Sequence, residues 1–166
     1  MTDPGPATKK DGLRFGIISD THGHLDPRVR EIFAGVDHIF HGGDIGFAAI
    51  IMELEEIAPT TAVLGNNDWG LDFKETESVS IEGWKAMAHH IVTPTDLHDS
   101  LKKRVTGFKP DLLVFGHTHK QFSERLGDVH YVNPGYSGKP RLGLARSVAI
   151  VEVRGGGLEV SFISLG

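Results

Sequence analysis

The chain has 166 residues, 39% of them hydrophobic and 23% charged, with a formal net charge of −5. Those values suit one folded domain with a real core and argue against disorder, a fibre or a second domain. Cysteine is absent, which removes disulfides, thiolate metal sites and every cysteine nucleophile, and the acidic balance lacks the broad basic footprint of a nucleic-acid binder. A cysteine-free chain fits a reducing compartment, so the cytoplasm is the expected location. No apolar run approaches the roughly 18 residues of a membrane helix, and residues 1–12 carry no apolar stretch of a secretory signal.

In chain order, residues 1–12 read as a flexible tail and residues 13–166 as a single domain. Leu13–Ser19 is short, apolar and stopped by polar residues, which predicts a buried strand. Pro27–Ala34 predicts a short helix with Asp26 as N-cap and Pro27 in its first position. Val36–Phe40 predicts a second strand, Ala48–Ile57 an amphipathic helix ended by Pro59, and Thr60–Leu64 a third strand. This β-α-β-α-β order implies parallel strands joined by right-handed crossovers. Beyond it, Val79–Glu82 and Trp84–His89 flank Gly83 and are expected to pair. Thr95–Gly107 predicts a helix capped by Thr95 and stopped by Gly107, and Leu112–Phe115 a short buried strand. Gln121–Leu126 and Val129–Val132 flank Gly127-Asp128, and Val148–Arg154 and Leu158–Ile163 flank Gly155-Gly156-Gly157; both are hairpin signals. The first half therefore reads as α/β and the second as β-rich.

The residues able to do chemistry fall where strands end. They are Ser19-Asp20-Thr21-His22-Gly23-His24, His41-Gly42-Gly43-Asp44, Gly65-Asn66-Asn67-Asp68, His89-His90 and Gly116-His117-Thr118-His119. In an open parallel sheet the carboxyl ends of the strands lie along one edge, so these loops are expected to converge. Imidazoles and carboxylates with no thiolate make a metal site of borderline hardness, and this many donors suit two ions sharing one carboxylate. In Asp20-x-His22 and His117-x-His119 both side chains leave a strand end on the same side. Any one of these residues alone has an ordinary structural use, as a cap, a turn or a hydrogen-bonded histidine. The case rests on their co-occurrence at successive strand ends. His38, His98 and His130 read as structural, and Lys102-Lys103-Arg104 as the solvated face of a helix or a phosphate contact.

These blocks resemble the five signature blocks of the calcineurin-like metallophosphoesterases. Ser19-Asp20-Thr21-His22-Gly23, Gly65-Asn66-Asn67-Asp68 and Asn133-Pro134-Gly135 with Pro140-Arg141 resemble its small single-domain branch, which includes phosphodiesterases and the scaffold subunit Vps29. The resemblance implies a four-layer α/β/β/α sandwich and two divalent metal ions, of which Mn, Ni, Fe, Zn and Mg all suit the donor set. It implies Asp20, His22 and His119 on one metal, Asn66, His89 and His117 on the other, and Asp44 as the bridge. His90 is the alternative to His89, by a shift of one residue. A hydroxide held by the metals is the expected nucleophile, with Asp44 and Asn66 as catalytic residues. Where larger relatives carry a histidine that protonates the leaving group, this chain has Asn67; His24 is a candidate substitute. Tyr136, where serine is common, either lines the pocket or packs. The implied activity is hydrolysis of a small phosphodiester, without membrane or nucleic acid as partner, and with a homo-oligomer left open. A phosphomonoesterase and a non-catalytic Vps29-like scaffold are the rival readings.

Overall fold

The computed structural model describes residues 8–166. Its elements run β1 (Arg14–Ile18), α1 (Val29–Ile32), β2 (His38–His41), α2 (Ala48–Glu55), β3 (Thr60–Ala62), β4 (Thr76–Ile81), β5 (Trp84–His89), α3 (Asp99–Phe108), β6 (Leu112–Val114), β7 (Gln121–Leu126), β8 (Val129–Pro134), β9 (Ser147–Arg154) and β10 (Gly157–Ser164). They form two five-stranded sheets, ordered β10-β9-β1-β2-β3 and β4-β5-β6-β8-β7. In the first, β1, β2 and β3 are parallel and β9 runs against β1. In the second, β5, β6 and β8 are parallel, with β4 and β7 antiparallel at the edges.

Three apolar clusters explain the layers. Phe15, Ile17, Phe40 and Val63 from one sheet meet Trp84, Ala86, Ala88, Leu112, Val114 and Val132 from the other. The opposite face of the first sheet, including Ile18, Ile39 and Ile150, is covered by Val29 of α1 and by Ile50, Ile51 and Leu54 of α2. The opposite face of the second, with Met87, Leu113 and Tyr131, packs against Leu101 of α3. The result is the four-layer α/β/β/α sandwich. It also corrects the picture of a single sheet edge: the conspicuous loops follow β1, β2 and β3 in one sheet and β5 and β6 in the other.

The hairpins fall where expected. Ile81 pairs with Trp84 around Glu82-Gly83, and Arg154 with Gly157 around Gly155-Gly156. Both central residues of each turn have positive φ, the twist that suits a two-residue hairpin. α3 starts later than expected: His98, not Thr95, is its N-cap, and its ring Nδ1 accepts from the Leu101 amide at 3.3 Å. Gly107 lies inside the helix, and Lys109 closes it in the left-handed conformation just before Pro110. The regular helix α1 begins at Val29, with Arg28 before it, but Asp26 Oδ1 accepts from the Arg28 amide at 2.9 Å as a capping carboxylate does, and the Arg28 and Arg146 guanidiniums engage the same carboxylate.

Residues 8–12, expected to lie in a flexible tail, pack against the sandwich. Residues 1–7 lie outside the described residues. Lys9 is 2.6 Å from the Asp111 carboxylate and lies over the Trp84 ring, and Trp84 Nε1 donates to the Lys10 carbonyl. Gly12 N–H donates to Val153. The long lysine stem covers an aromatic face while its charge stays wet, which docks this stretch on the sandwich.

Candidate metal centre

The carboxyl ends of β1, β2 and β3 meet those of β5 and β6, and the loops there turn sharply. Asp20, His22, Asp44, His117 and His119 all have positive φ, as do only Glu82 and Lys109 among the other described non-glycine residues. Such backbone is costly for a residue with a Cβ and persists where the surroundings enforce it. Two glycines supply the close approach. A side chain at Gly65 would collide with the amide and carboxylate of Asp44, and one at Gly116 with Ser19 Oγ and the Asp20 carboxylate.

Asp20 is fully buried at the centre. Its Oδ2 accepts from Ser19 Oγ at 2.7 Å and from the His117 amide at 3.2 Å. Its Oδ1 faces His119 Nε2 at 3.3 Å, His22 Nε2 at 3.8 Å and His90 Nε2 at 3.9 Å. Asp44 accepts from the Asn67 amide on Oδ1 and from Asn67 Nδ2 on Oδ2, both at 2.9 Å. Asp44 Oδ2 also lies 3.4 Å from His90 Nε2 and 3.7 Å from His22 Nε2. Both carboxylates, rather than Asp44 alone, therefore face both groups of imidazoles. Asn66 Oδ1 lies 3.1 Å from His117 Nδ1 at the exposed rim, and the His117 ring is 5.4 Å from that of His90.

The fourth block requires a correction: the structure brings His90, not His89, to the carboxylates. Trp84, Ala86 and Ala88 point between the sheets and Met87 points to the α3 side. Strand alternation then sends His89 outward with Met87 and His90 inward with Ala88. His89 Nδ1 sits 2.8 Å from Thr76 Oγ1, and its ring is 5.4 Å from that of His98. His90 Nδ1 donates to the Gly42 carbonyl at 2.6 Å, which leaves Nε2 as its lone-pair atom toward the carboxylates.

Electrostatics divide the two carboxylates. Burial raises the Asp20 pKa against its hydrogen bond from Ser19 and the nearby histidines. At Asp44 burial acts the same way, but His90 and Asn67 outweigh it and hold the carboxyl well below its usual range. Burial disfavours charged His90, yet Asp44 and Asp20 raise its pKa.

The residues present fit divalent metal. Asp20 Oδ1, His22 Nε2 and His90 Nε2 are buried side-chain atoms with no hydrogen-bond partner. Each such atom costs on the order of 1–3 kcal/mol unless something satisfies it. Lone pairs of two imidazoles and a carboxylate that converge without a donor call for a cation. Two donor sets lie within ligating reach of one another, Asp20 with His22 and His119, and Asp20 with Asp44 and His90. Asn66 and His117 adjoin the second.

Residues around the donor set hold this arrangement. Asp68 Oδ2 accepts from the amides of Ile45 and Gly65, and Oδ1 from that of Gly46, so one carboxylate ties the loops after β2 and β3. His41 Nδ1 accepts from the Gly43 amide, so Nε2 carries the proton to Thr21 Oγ1, whose hydroxyl donates to Ile45. Burial lowers the His41 pKa to about 3, so this chain is uncharged. Asn133 Nδ2 holds the Gly116 carbonyl and Thr118 Oγ1. Tyr136, 1% exposed, packs its ring 4.9 Å from His119 and 6.1 Å from His22. His24 is half-buried on the first loop, and among the described residues no hydrogen bond joins its ring to the cluster. His38 and His130 bond Thr61 and Ser123 across strands.

A four-layer sandwich with carboxylates and imidazoles at the meeting ends of its sheets defines a phosphoesterase of the metal-dependent kind. The chain belongs to the calcineurin-like phosphoesterase superfamily, whose domain model matches residues 13–156. A probable metallophosphoesterase of Methanothermobacter thermautotrophicus is 33% identical, covering 93% of this chain and 94% of that one. The structure of an archaeal phosphodiesterase superposes with a TM-score of 0.74 at 27% identity, over 92% of this chain and all of the other. Vps29 from Entamoeba histolytica, solved with zinc, shares the fold at a TM-score of 0.68 and 20% identity, over 93% of this chain and all of its own. No helix among the described residues is long and apolar enough to cross a membrane.

Proposed function

We propose that the chain is a metal-dependent phosphodiesterase acting on a small phosphodiester at a two-metal centre. The observation that carries this reading is the convergence of three orphaned, buried ligand atoms, Asp20 Oδ1, His22 Nε2 and His90 Nε2, beside the Asp44 carboxylate. Asp20, His22, His119 and Asp44 would hold one ion, and Asp44, Asn66, His90 and His117 the other. Bound divalent ions supply Lewis-acid polarisation of the phosphoryl group and hydroxide at neutral pH.

The chain's own residues prepare that chemistry. Gly42 fixes the tautomer of His90, and the Ser19 hydroxyl and His117 amide occupy Asp20 Oδ2 so that Oδ1 alone faces inward. Asn67 stands where larger relatives have a histidine, and here both its N–H groups orient Asp44. That arrangement supplies no acid for the leaving group and favours esters with good leaving groups. The two carboxylates carry about −2, so two divalent ions would leave the cluster net positive and attractive to a phosphodiester anion. The cysteine-free composition supports a cytoplasmic setting.

The test is hydrolysis of bis-p-nitrophenyl phosphate beside p-nitrophenyl phosphate, on protein stripped of metal and then given Mn, Ni, Zn or Mg. Metal-dependent turnover of the diester, lost in Asp44→Ala, is the expected result. Faster turnover of the monoester would make the chain a phosphomonoesterase. Bound metal without turnover of either ester would favour a Vps29-like scaffold.

A further inference from the structure

Exposed apolar side chains are unevenly spread over the molecule. Among the described residues the large ones are Phe47, Met52, Trp69, Ile91 and Leu142. Scattered singly, such residues need no explanation. Here Phe47 comes three residues after Asp44, Trp69 three after Asn66, and Ile91 directly after His90, so each follows a candidate metal donor. Leu142 sits in the loop after Tyr136, the ring that packs on His22 and His119. Met52, in the middle of α2, is the exception. The apolar exposure of the molecule is gathered around its most polar cluster.

The two aromatic members are tied to that cluster through the backbone. The Phe47 ring lies against Gly23, the residue after His22, so closely that a Cβ there would stand 2.6 Å from it. Gly46, just before Phe47, gives its amide to Asp68 Oδ1 at 3.0 Å, and Trp69 directly follows Asp68. The same carboxylate holds the amides of Ile45 and Gly65, the neighbours of Asp44 and Asn66. One junction of two loops thus carries both aromatic side chains and two of the donors. Trp69 is 90% exposed and Phe47 65%, although rings of this size gain more from burial than most side chains do. The segment from Asp44 to Trp69 contains no Lys or Arg, so it offers a ligand aromatic surface and no cation.

A phosphodiester held by its phosphoryl group at the donors has to send its two ester arms out across the surrounding loops. We propose that Phe47 and Trp69 form an aromatic rim that seats one of those arms, and that the arm is a planar aromatic group. A ring stacked on such faces leaves water without needing a charge or a hydrogen bond from the protein. The inference rests on the phosphodiesterase reading above and names the substrate class of that site.

Three phosphonates that cannot be hydrolysed test it: phenylphosphonate, cyclohexylphosphonate and methylphosphonate, titrated calorimetrically into the Mn-treated protein beside inorganic phosphate. Phenylphosphonate is expected to bind more tightly than methylphosphonate by about fivefold or more, the worth of one aromatic contact, and more tightly than cyclohexylphosphonate. Phe47→Ala and Trp69→Ala are expected to reduce the phenyl preference toward one, while Met52→Ala keeps it. Both side chains are exposed, so the variants are expected to fold, and an unchanged affinity for phosphate checks this. In turnover of bis-p-nitrophenyl phosphate, whose arms are both aromatic, the two variants are expected to raise KM with kcat unchanged. Equal affinities, a cyclohexyl compound bound as tightly as the phenyl one, or a preference that survives both variants overturns the rim and, where phosphate still binds, leaves the phosphodiesterase reading intact. Binding of neither phosphate nor any phosphonate overturns both.

Discussion

Six residues apart in the chain, two buried carboxylates meet opposite fates. Asp26 accepts from the Arg28 amide and from both the Arg28 and Arg146 guanidiniums, and Arg146 also donates to the Gly138 and Leu165 carbonyls. These contacts, Arg28 first, hold the Asp26 carboxyl well below its usual range. Asp20, at the next loop position of the same segment, keeps one oxygen with no partner, as do two imidazoles around it. A buried charge that the protein satisfies itself is a strut: it ties the Gly138 loop, the start of α1 and the C-terminus. A buried set left unsatisfied is held ready for something from outside the chain. The comparison teaches where to expect stability and where to expect chemistry.

The strongest test of that contrast is Asp44→Ala. It is expected to lower metal-dependent diester hydrolysis by about a thousandfold or more, while costing the metal-free protein less stability than Asp26→Ala, because the Asn67 N–H groups it frees belong to an exposed residue and can bond water. Asp26→Ala is the mirror image. It leaves Arg146 buried and unpaired and is expected to cost about 3–5 kcal/mol of stability by chemical denaturation. If the two variants cost the metal-free protein equally, both clusters are structural.

The third prediction separates neighbouring histidines. His90→Ala is expected to weaken metal binding by about 100-fold or more in competition with a chelator, roughly 2.7 kcal/mol, and His89→Ala to leave it unchanged. The reverse result would return the ligand role to His89. The smallest effect concerns pH. Burial holds His41 near about 3 in the folded protein, against about 6.5 when unfolded. The folded state binds fewer protons, so the stability His41 contributes is present above about pH 6.5 and is lost as pH falls toward 3. In His41→Gln the slope of stability against pH in that window is expected to be shallower, by at most about 1.4 kcal/mol per pH unit.

The His89 and His90 case shows why part of the site was hidden. Alternation along Trp84–His90 carries one clue to parity, the exposed Lys85 on the face of Met87 and His89, but Ala86, Met87 and Ala88 are all buried and interrupt it. A sheet covered on both faces removes the pattern that fixes a strand's phase. The start of α3 was hidden for a different reason. Thr95 carries a stronger capping preference than His98, but the chain turns first, with the Asp96 amide on the Thr93 carbonyl, and the helix follows. Asp26 reads as a helix cap in the sequence and does accept the Arg28 amide, but the guanidiniums of Arg28 beside it and Arg146 far along the chain also claim its carboxylate, and the second of these leaves no local signal.

The sequence by itself determined the strands, the hairpins around Gly83, Gly127 and Gly155, and the loops that bring Asp20, His22, Asp44, Asn66, His117 and His119 together. Those are local matters: apolar runs set strands, glycines set turns, and short spacings such as Asp20-x-His22 place neighbouring donors. Only the tertiary structure decided that the loops come from two facing sheets, that His90 rather than His89 turns inward, and that Asp68, His41 and Asn133 fix the loops. Each of these depends on which face of an element another element covers, and burial on both faces leaves little trace of that in the order of residues.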